Sequence, residues 1–200
     1  MDVEQWNERY RSTDLVWSAG PNQFVEAACR DLTPGRSIDI AAGEGRNAIW
    51  LAEQGWDSTA VDFSDVAIDK ARQIADRRGV SITTEVADLL EYSPEPGGYD
   101  LVVVAYLHLP AEQLDPILAR AAAAVAPGGT FFLIGHDITN VADGYGGPPN
   151  PAVLNSPDQV LAALDDDFEV GVAEVAERHV DTDDGARIAL DTHVVARRVG

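Results

Sequence analysis

Residues 38–48 of the chain read Ile38-Asp39-Ile40-Ala41-Ala42-Gly43-Glu44-Gly45-Arg46-Asn47-Ala48. The apolar run before the glycines predicts a short strand over 37–42 that ends in a tight turn. A helix is predicted over 46–53, where apolar residues recur at helical spacing before Gly55. Glycines let a backbone pass close to a ligand, and a helix start presents unpaired N–H donors. The stretch therefore predicts a strand–turn–helix unit that approaches a ligand at its turn.

The alternation of strand and helix continues along the chain. Further strands are predicted over 57–61, 80–86, 100–105 and 130–135, and helices over 64–78 and 111–126. Ser64 is expected to cap the first of these helices, and Gly79 to end it. Because strands that alternate with helices are joined by right-handed crossovers, the pattern predicts a parallel, doubly wound sheet.

The last quarter of the chain has a different character. Residues 140–157 are rich in Gly, Pro and Asn and predict a loop long enough to be functional, followed by a helix over 156–164. Two strand-like runs, 168–180 and 186–199, flank Asp181-Thr182-Asp183-Asp184-Gly185 and predict an antiparallel hairpin.

The predicted fold class is α/β, with a Rossmann-like doubly wound sheet of seven strands. The sheet is expected to be mostly parallel, with the C-terminal antiparallel hairpin at one edge. We expect a single domain, 1–200, because two domains in 200 residues would each have a small core. Its expected parts are an N-terminal capping segment (1–36) with a helix over 22–30, a cofactor-binding core (37–139), a candidate lid loop (140–157), and a C-terminal helix and hairpin (158–200).

The charge balance is strongly acidic. Asp and Glu total 34 against 14 Lys and Arg, a formal net charge of −20. Such a field repels phosphate backbones and anionic lipid, so we expect neither nucleic acid nor a membrane as a partner. The polar start Met1-Asp2-Val3-Glu4 is not typical of a secretory signal, and the single Cys29 excludes an internal disulfide. A cytoplasmic location is therefore expected, while the oligomeric state is left open.

Two carboxylates follow the next two strands. Asp62 comes directly after the strand 57–61, where a carboxylate can accept both ribose hydroxyls of an adenosine. Asp88 follows the third strand, where it can accept a hydrogen bond from an adenine amino group. The alternatives are an N-cap aspartate, a loop aspartate and a turn without a ligand. The turn also matches the dinucleotide fingerprint G-x-G-x-x-G weakly, with Ala48 as its last small residue.

Residues 38–48 resemble motif I of the class I S-adenosylmethionine-dependent methyltransferases. The continuation Ala60-Val61-Asp62-Phe63-Ser64 is similar to the small-molecule branch that includes tellurite-resistance methyltransferases. The N-terminal stretches Trp6-Asn7-Glu8-Arg9-Tyr10 and 17–22 also resemble the capping segment of that branch. The resemblance covers nearly the whole chain and is most specific over 38–72. It implies S-adenosylmethionine as cofactor and S-adenosylhomocysteine as product.

The resemblance also implies the residues of the cofactor site. Asp39 would orient the glycine turn, Asp62 would hold the ribose, and Phe63 would line the adenine. The full implied set is Asp39, Ala41, Gly43, Gly45, Arg46, Asn47, Asp62, Phe63, Asp88, Leu89 and Ala105. One departure is Ala41, because the family usually has glycine there; we expect modest tightening and no loss of binding.

Two histidines are the candidate catalytic residues. His108 and His136 follow the fourth and fifth strands, where residues face the crevice of an open α/β sheet. Each has a structural alternative as a loop histidine at a strand end. Tyr106 and Asp137 share these loops and rank lower. A soft nucleophile such as a thiolate needs no base, whereas a hydroxyl or an amine usually does.

Several aromatic residues are candidates for covering the site. Tyr10, Trp17, Tyr106 and Tyr145 are interpreted as substrate or lid residues, and Trp6 as core. No metal is expected, because no histidines and carboxylates have metal-ligand spacing. His193 and His179 are expected to lie outside the site, and Asp165-Asp166-Asp167 to be a solvated helix end.

The predicted function is transfer of a methyl group to a small-molecule acceptor, whether thiol, chalcogen, hydroxyl or amine. One alternative is a non-catalytic S-adenosylmethionine-binding protein with 140–157 as a partner loop. A second alternative is a nicotinamide-dependent oxidoreductase. The short-chain dehydrogenase version of the latter is disfavoured, because the sole lysine, Lys70, forms no Tyr-x-x-x-Lys pair.

Overall fold

The computed structural model describes residues 2–16 and 18–200. Among these residues the elements are, in chain order, α1 (Val3–Arg11), α2 (Gln23–Cys29), β1 (Arg36–Ile40), α3 (Arg46–Glu53), β2 (Asp57–Asp62), α4 (Asp65–Arg78), β3 (Thr83–Val86), β4 (Tyr99–Ala105), α5 (Ala111–Ala123), β5 (Val125–His136), α6 (Asn140–Asp143), a 3₁₀ turn (Pro151–Val153), α7 (Pro157–Leu161), β6 (Phe168–Thr182) and β7 (Gly185–Arg198). No helix in the described ranges is long and apolar enough to span a bilayer.

The strands form a seven-stranded sheet in the order β3-β2-β1-β4-β5-β7-β6. β1 to β5 pair in parallel, whereas β7 is antiparallel to both β5 and β6. The predicted fold class, including the antiparallel C-terminal hairpin, is therefore confirmed. The strand order reverses between β1 and β4, which places a crevice at the carboxyl ends of these two strands.

Both faces of the central strands are covered. Leu114 and Leu118 of α5 pack on one face, in the cluster that contains Val102. On the other face, Val25 of α2 and Leu51 of α3 belong to the cluster of Val103 and Phe132. Burial on both sides explains why β4 and β5 read as continuous apolar runs.

The boundaries of two predicted helices are confirmed. α3 spans Arg46–Glu53, and α4 begins after Ser64, whose hydroxyl accepts a hydrogen bond from the backbone N–H of Ala67. Gly79 ends α4 in the left-handed conformation that the helix stop requires.

Other boundaries differ from prediction. The helix predicted over 111–126 ends at Ala123, and β5 begins at Val125. Val125 is fully buried and pairs with Tyr99, so sheet pairing and burial override the helix propensity of the alanines. The strand predicted over 80–86 begins at Thr83, and the helix predicted over 156–164 ends at Leu161. The loop over 140–157 contains α6 and the 3₁₀ turn.

Helix α1 was not predicted. Its apolar residues are too few for a clear helical period, but Asp2 and Gln5 form a capping box at its start. Asn7 fixes the helix to the start of α4, because its Nδ2 donates to Asp65 (2.9 Å) and its Oδ1 accepts from the Ser64 hydroxyl (2.5 Å). The chain therefore returns its N-terminus to the helix that follows β2.

The segment after α1 is fastened to the glycine turn by Lys70. Its Nζ donates to the carbonyl oxygens of Thr13 (2.6 Å) and Asp14 (3.3 Å) and to Oε1 of Glu44 (3.1 Å). The other carboxylate oxygen of Glu44 accepts from the backbone N–H of Val16 at 2.9 Å. Since Glu44 lies within the turn, one buried carboxylate connects the N-terminal segment with the cofactor unit.

We expect Lys70→Met to lower the free energy of unfolding by about 3 kcal/mol, because it leaves the buried Glu44 carboxylate without its cation. Urea denaturation monitored by circular dichroism would measure the change.

Arg30→Met is the matched control, because the Arg30–Glu26 ion pair is solvent-exposed. Its loss should cost at most about 1 kcal/mol. Equal losses in the two variants would contradict the fastening role of Lys70.

Candidate functional site

The turn after β1 has a left-handed backbone at three positions. The φ angles are +61° at Ala41, +55° at Gly43 and +74° at Gly45. A Cβ atom at Gly45 would lie 2.9 Å from the Cβ of Ala71 on α4, closer than carbon atoms pack. Glycine at this position is therefore required both by conformation and by the close approach of α4.

Asp39 lies completely buried on β1, next to the start of α3. Burial raises its pKa to about 7, against the opposing effects of Arg46, the backbone N–H of Ala48 and the side chain of Asn47. Neither carboxylate oxygen makes a hydrogen bond of good geometry. Gly45 caps α3 without a side-chain hydrogen bond, so the first N–H groups of the helix remain available at the turn.

Asp62 joins the turn to the end of β2. Its Oδ2 accepts from the backbone N–H of Gly43 at 2.8 Å, and its Oδ1 accepts from that of Ser64 at 2.9 Å. Burial raises the pKa of Asp62, and these backbone donors oppose the rise. A carboxylate has about four lone-pair sites, so two remain for the hydroxyls of a ribose.

The third carboxylate, Asp88, follows the strand next to that of Asp62. The N–H of Ala87 donates to the carbonyl oxygen of Asp62 (3.0 Å), which brings the end of β3 next to the end of β2. Asp88 is exposed, and its Oδ1 accepts from the N–H of Leu90 at 2.9 Å. Arg120 of α5 holds this turn by donating to the carbonyl oxygen of Leu89 (2.7 Å).

The remaining predicted cofactor residues fall into two groups. Phe63 and Ala105 are half-buried and lie at the ends of β2 and β4. Arg46 and Asn47 instead contact the N-terminal segment: Arg46 donates to the Ser18 hydroxyl (3.1 Å), and Asn47 accepts from the N–H of Asn22 (2.9 Å). These two residues connect the turn to the capping segment in this structure.

The structure brings the two candidate catalytic histidines together. The rings of His108 and His136 stack with centroids 5.4 Å apart, and the ring of Tyr106 lies 5.2 Å from that of His136. Burial and the neighbouring His136 lower the pKa of His108 to about 4, so this ring is neutral at pH 7. Tyr106 has a left-handed backbone, φ +58°, at the end of β4.

Two residues of the hairpin complete this cluster, and sequence reasoning missed both. The Tyr106 hydroxyl donates to Oδ2 of Asp191 at 2.7 Å, and Nε of Arg178 donates to the same oxygen at 2.6 Å. Nδ1 of His136 lies 3.1 Å from Oδ1 of Asp191. Burial alone would raise the pKa of Asp191, but contacts with His136, Arg178 and Tyr106 lower it.

One signal in the sequence could have indicated Asp191. Asp191 interrupts the apolar run of β7, which pairs with the end of β5. In the register of the sheet, Asp191 lies directly opposite His136. A charged residue at such a position requires a partner across the strands. The register itself, however, is fixed by the hairpin and could not be read from the chain.

The residues predicted to form a lid lie at different depths. Tyr10 is buried in α1 and stacks on Trp6 with centroids 5.5 Å apart. Trp17 lies outside the described residues. Tyr145 is 44% exposed. Its neighbour Gly147 lies against His136 instead, because a Cβ there would be 2.8–2.9 Å from ring atoms of the histidine.

Asp137 anchors the base of this loop. Its Oδ1 accepts from the N–H and hydroxyl of Thr139 (2.9 and 2.6 Å), and its Oδ2 accepts from the Thr192 hydroxyl at 2.7 Å. His193 packs between Phe24 and Phe132, and burial lowers its pKa. Within the part of the chain that the structure describes, no three His, Cys, Asp or Glu side chains are grouped to hold a metal ion.

The sequence over residues 38–129 matches the family model described as "Methyltransferase domain". This part of the chain is similar to methyltransferase domains, and the relatives named next support the class I S-adenosylmethionine-dependent family. Over 126 residues, 60% of this chain and 56% of the relative, it is 26% identical to the 2-heptyl-1-hydroxyquinolin-4(1H)-one methyltransferase of Mycobacteroides abscessus. The TehB protein of Haemophilus influenzae also confirms the predicted resemblance to tellurite-resistance methyltransferases.

The probable S-adenosyl-L-methionine-dependent methyltransferase TehB of Haemophilus influenzae is 26% identical over 113 residues, 56% of this chain and 39% of TehB. The TehB crystal structure superposes with a TM-score of 0.73, covering 99% of this chain and 67% of TehB at 16% identity. A structure described as "Conversion of a Disulfide Bond into a Thioacetal Group during Echinomycin Biosynthesis" gives a TM-score of 0.76 at 20% identity, covering 98% and 91% of the two chains. The matched part of the chain spans about 40 to 60% of the length of the two sequence relatives, the Mycobacteroides abscessus methyltransferase and TehB.

We expect Ala41→Gly to raise the free energy of unfolding by about 0.5 to 1 kcal/mol. Alanine in the left-handed region costs about 1–2 kcal/mol, and the added freedom of glycine in the unfolded chain offsets part of the gain. Urea denaturation would measure the difference, with Ala42→Gly as control. Ala42 has no positive φ angle, so that variant should lose about 1 kcal/mol. A loss in both variants would contradict the strain at Ala41.

We expect Asp39→Asn to gain stability relative to the unchanged protein as the pH rises. With a pKa of about 7, the folded protein retains a proton on Asp39 that the unfolded chain releases near pH 4. The contribution of Asp39 to stability therefore falls as the pH rises from about 4 to 7, whereas asparagine does not titrate. Between pH 5 and 8 the difference in unfolding free energy should change by about 2 to 3 kcal/mol in favour of the variant. A constant difference would contradict a protonated Asp39.

Proposed function

We propose that the chain transfers a methyl group from S-adenosylmethionine to a small-molecule acceptor and releases S-adenosylhomocysteine. The observation that carries the proposal is the arrangement at the ends of β1 and β2. There a left-handed glycine turn, an open helix start and the buried carboxylate of Asp62 meet. S-adenosylmethionine would supply a methyl group on a sulfonium, an electrophile that reacts by in-line displacement.

The residues present fit this cofactor. Asp62 keeps lone pairs for ribose hydroxyls, and Asp88 is exposed one strand away for the adenine edge. Gly43 and Gly45 would leave room for the amino-acid part, with the N–H groups of α3 facing its carboxylate. Ala105, at the end of β4, would lie beneath the methionine chain.

The methyl acceptor would bind beside His108 and His136. Both lie in the loops after β4 and β5, next to the position assigned to the methionine chain. The aromatic surfaces of Tyr106 and the two histidines would exclude water from the reacting atoms. Their role as catalytic residues, and that of Tyr10, Trp17, Tyr106 and Tyr145 as substrate or lid residues, belongs to this proposal.

Other parts of the prediction belong to the proposal as well. A small-molecule acceptor is supported by the hydroxyquinolinone methyltransferase relative and by the net charge of −20, which opposes nucleic-acid substrates. The division into a capping segment (1–36), core (37–139), lid loop (140–157) and C-terminal part (158–200) is also part of the proposal. So is a cytoplasmic location.

Isothermal titration with S-adenosylmethionine, S-adenosylhomocysteine and NAD tests the cofactor assignment. We expect binding of the first two compounds and none of NAD. Asp62→Asn should weaken binding of S-adenosylhomocysteine by about 100-fold, because it removes the charge-assisted acceptor of the ribose. Asp57→Asn, at the exposed opposite end of β2, is the matched control and should bind normally.

Binding of NAD alone would support the oxidoreductase alternative and overturn the proposal. Unchanged affinity in Asp62→Asn would remove the ribose assignment. A protein that binds S-adenosylmethionine but methylates no acceptor in a broad panel of thiols, phenols and amines would favour the binding-protein alternative.

A further inference from the structure

The buried carboxylate of Asp191 accepts two hydrogen bonds and lies beside the imidazole of His136. Tyr106 and Arg178 both donate to Oδ2, whereas Oδ1 lies 3.1 Å from Nδ1 of His136. Neither Oδ1 nor Nδ1 has another hydrogen-bond partner. The two atoms lie within hydrogen-bonding distance of each other without the geometry of an aligned hydrogen bond. Oδ1 is therefore within reach to accept a hydrogen bond from a protonated Nδ1.

An imidazole that holds its proton on Nδ1 presents a bare Nε2. Asp191 is fully buried and kept ionised by its donors, so it favours this tautomer. His108 stacks on His136 from the β4 side, and its low pKa keeps it neutral at pH 7. Arg178 is already neutralised by Asp191.

The charges around the histidine also restrict the acceptor. Arg178 is paired with Asp191, so this arginine offers the cluster no uncompensated cation. An anionic acceptor would gain little there. A neutral acceptor that must lose a proton fits this balance better.

The loop beside His136 carries apolar side chains. Ile138, Val141 and Tyr145 are 44–48% exposed, and they belong to the loop whose Gly147 lies against the histidine ring. Exposed apolar residues grouped in one loop are typical of the rim of a ligand-binding site. They favour an acceptor with an apolar body.

From these observations we propose that His136, positioned by Asp191, is the general base for methylation of a neutral hydroxyl on an apolar small molecule. This inference rests on the proposed methyltransferase function. Asp191 acts through His136 and is a positioning residue. Hydroxyl acceptors need such a base most, because a thiolate is already deprotonated and an amine attacks through a lone pair before it loses its proton.

The step balances as follows. The hydroxyl oxygen forms a bond to the methyl carbon while the carbon–sulfur bond breaks, and the electron pair of that bond neutralises the sulfonium. The hydroxyl proton passes to Nε2 of His136. The products are the methyl ether and S-adenosylhomocysteine, and the imidazolium later releases its proton to water.

The tautomer of His136 can be measured without knowing the natural acceptor. In ¹⁵N-labelled protein at pH 8, long-range ¹H–¹⁵N correlation spectra should show Nδ1 protonated and Nε2 bare. Asp191→Asn should shift the signals towards the Nε2-protonated form. Glu174→Gln, a change on the same face of the hairpin, should leave them unchanged. A bare Nδ1 in the unchanged protein would overturn the inference, whether or not the variants fold.

Methyl transfer to 1-naphthol and 1-naphthalenethiol tests the acceptor class, because the two probes differ only in the attacking atom. We expect methylation of 1-naphthol, with kcat reduced about 100-fold or more in His136→Asn. The reduction in Asp191→Asn should be about 10-fold or more, and KM should change by less than about 3-fold in both variants. Methylation of the thiol should be nearly insensitive to either change.

Equal losses with the hydroxyl and the thiol would overturn the base role. Failure of the unchanged protein to bind S-adenosylhomocysteine in calorimetry would instead count against the proposed function. Intact cofactor binding without any methylation of 1-naphthol, including exclusive methylation of the thiol or of 1-naphthylamine, would overturn this inference alone.

Discussion

The site depends on the hydrogen bonds that the Asp62 carboxylate makes with the N–H groups of Gly43 and Ser64. The chain must leave β1, reverse through a left-handed turn and enter α3 within five residues. In this turn the backbone N–H of Ala42 donates to the carbonyl oxygen of Val61 on the neighbouring strand, and the Asp62 side chain supplies the acceptor for Gly43. The same carboxylate also receives the N–H that precedes α4. It therefore sets the positions of two helix starts relative to the sheet.

Buried charge is the second organising feature of the molecule. Although the chain has a net charge of −20, two of its buried carboxylates form ion pairs: Glu44 with Lys70 and Asp191 with Arg178. Each pair connects segments distant in sequence, since Glu44 is 26 residues from Lys70 and Asp191 is 13 residues from Arg178. Breaking one partner of such a pair leaves a charge in a medium of low polarity, so these contacts specify how the segments meet.

The sequence allowed the sheet class, the glycine turn and the caps of α4 to be predicted, because each depends on local spacing. The Ser64 hydroxyl caps the start of α4, and Gly79 adopts the left-handed conformation that ends it. Both residue types can be recognised from their positions at the two ends of the helical pattern. The histidines were predicted as candidates because strand ends meet at one edge of an open sheet. That His108 and His136 stack on each other was not predictable, since it depends on the side-chain directions of two separate loops.

Asp191 and Arg178 illustrate the limit of sequence reasoning. Their positions opposite and beside His136 follow from the register of β7 with β5 and β6, which a one-residue shift would reverse. The end of α5 at Ala123 has a similar cause, because the burial of Val125 is a property of the assembled sheet. Local propensity favours a longer helix there. Long-range pairing decides both features.

The docking of the N-terminal segment through Lys70 has a chemical consequence. The chain contains a single lysine, and all three protons of its ammonium group are engaged by Thr13, Asp14 and Glu44. An amino group held by three such contacts is a poor nucleophile towards acylating reagents. The acylation rate of Lys70 therefore measures how often the segment with Thr13 and Asp14 detaches from the rest of the protein, without an engineered label.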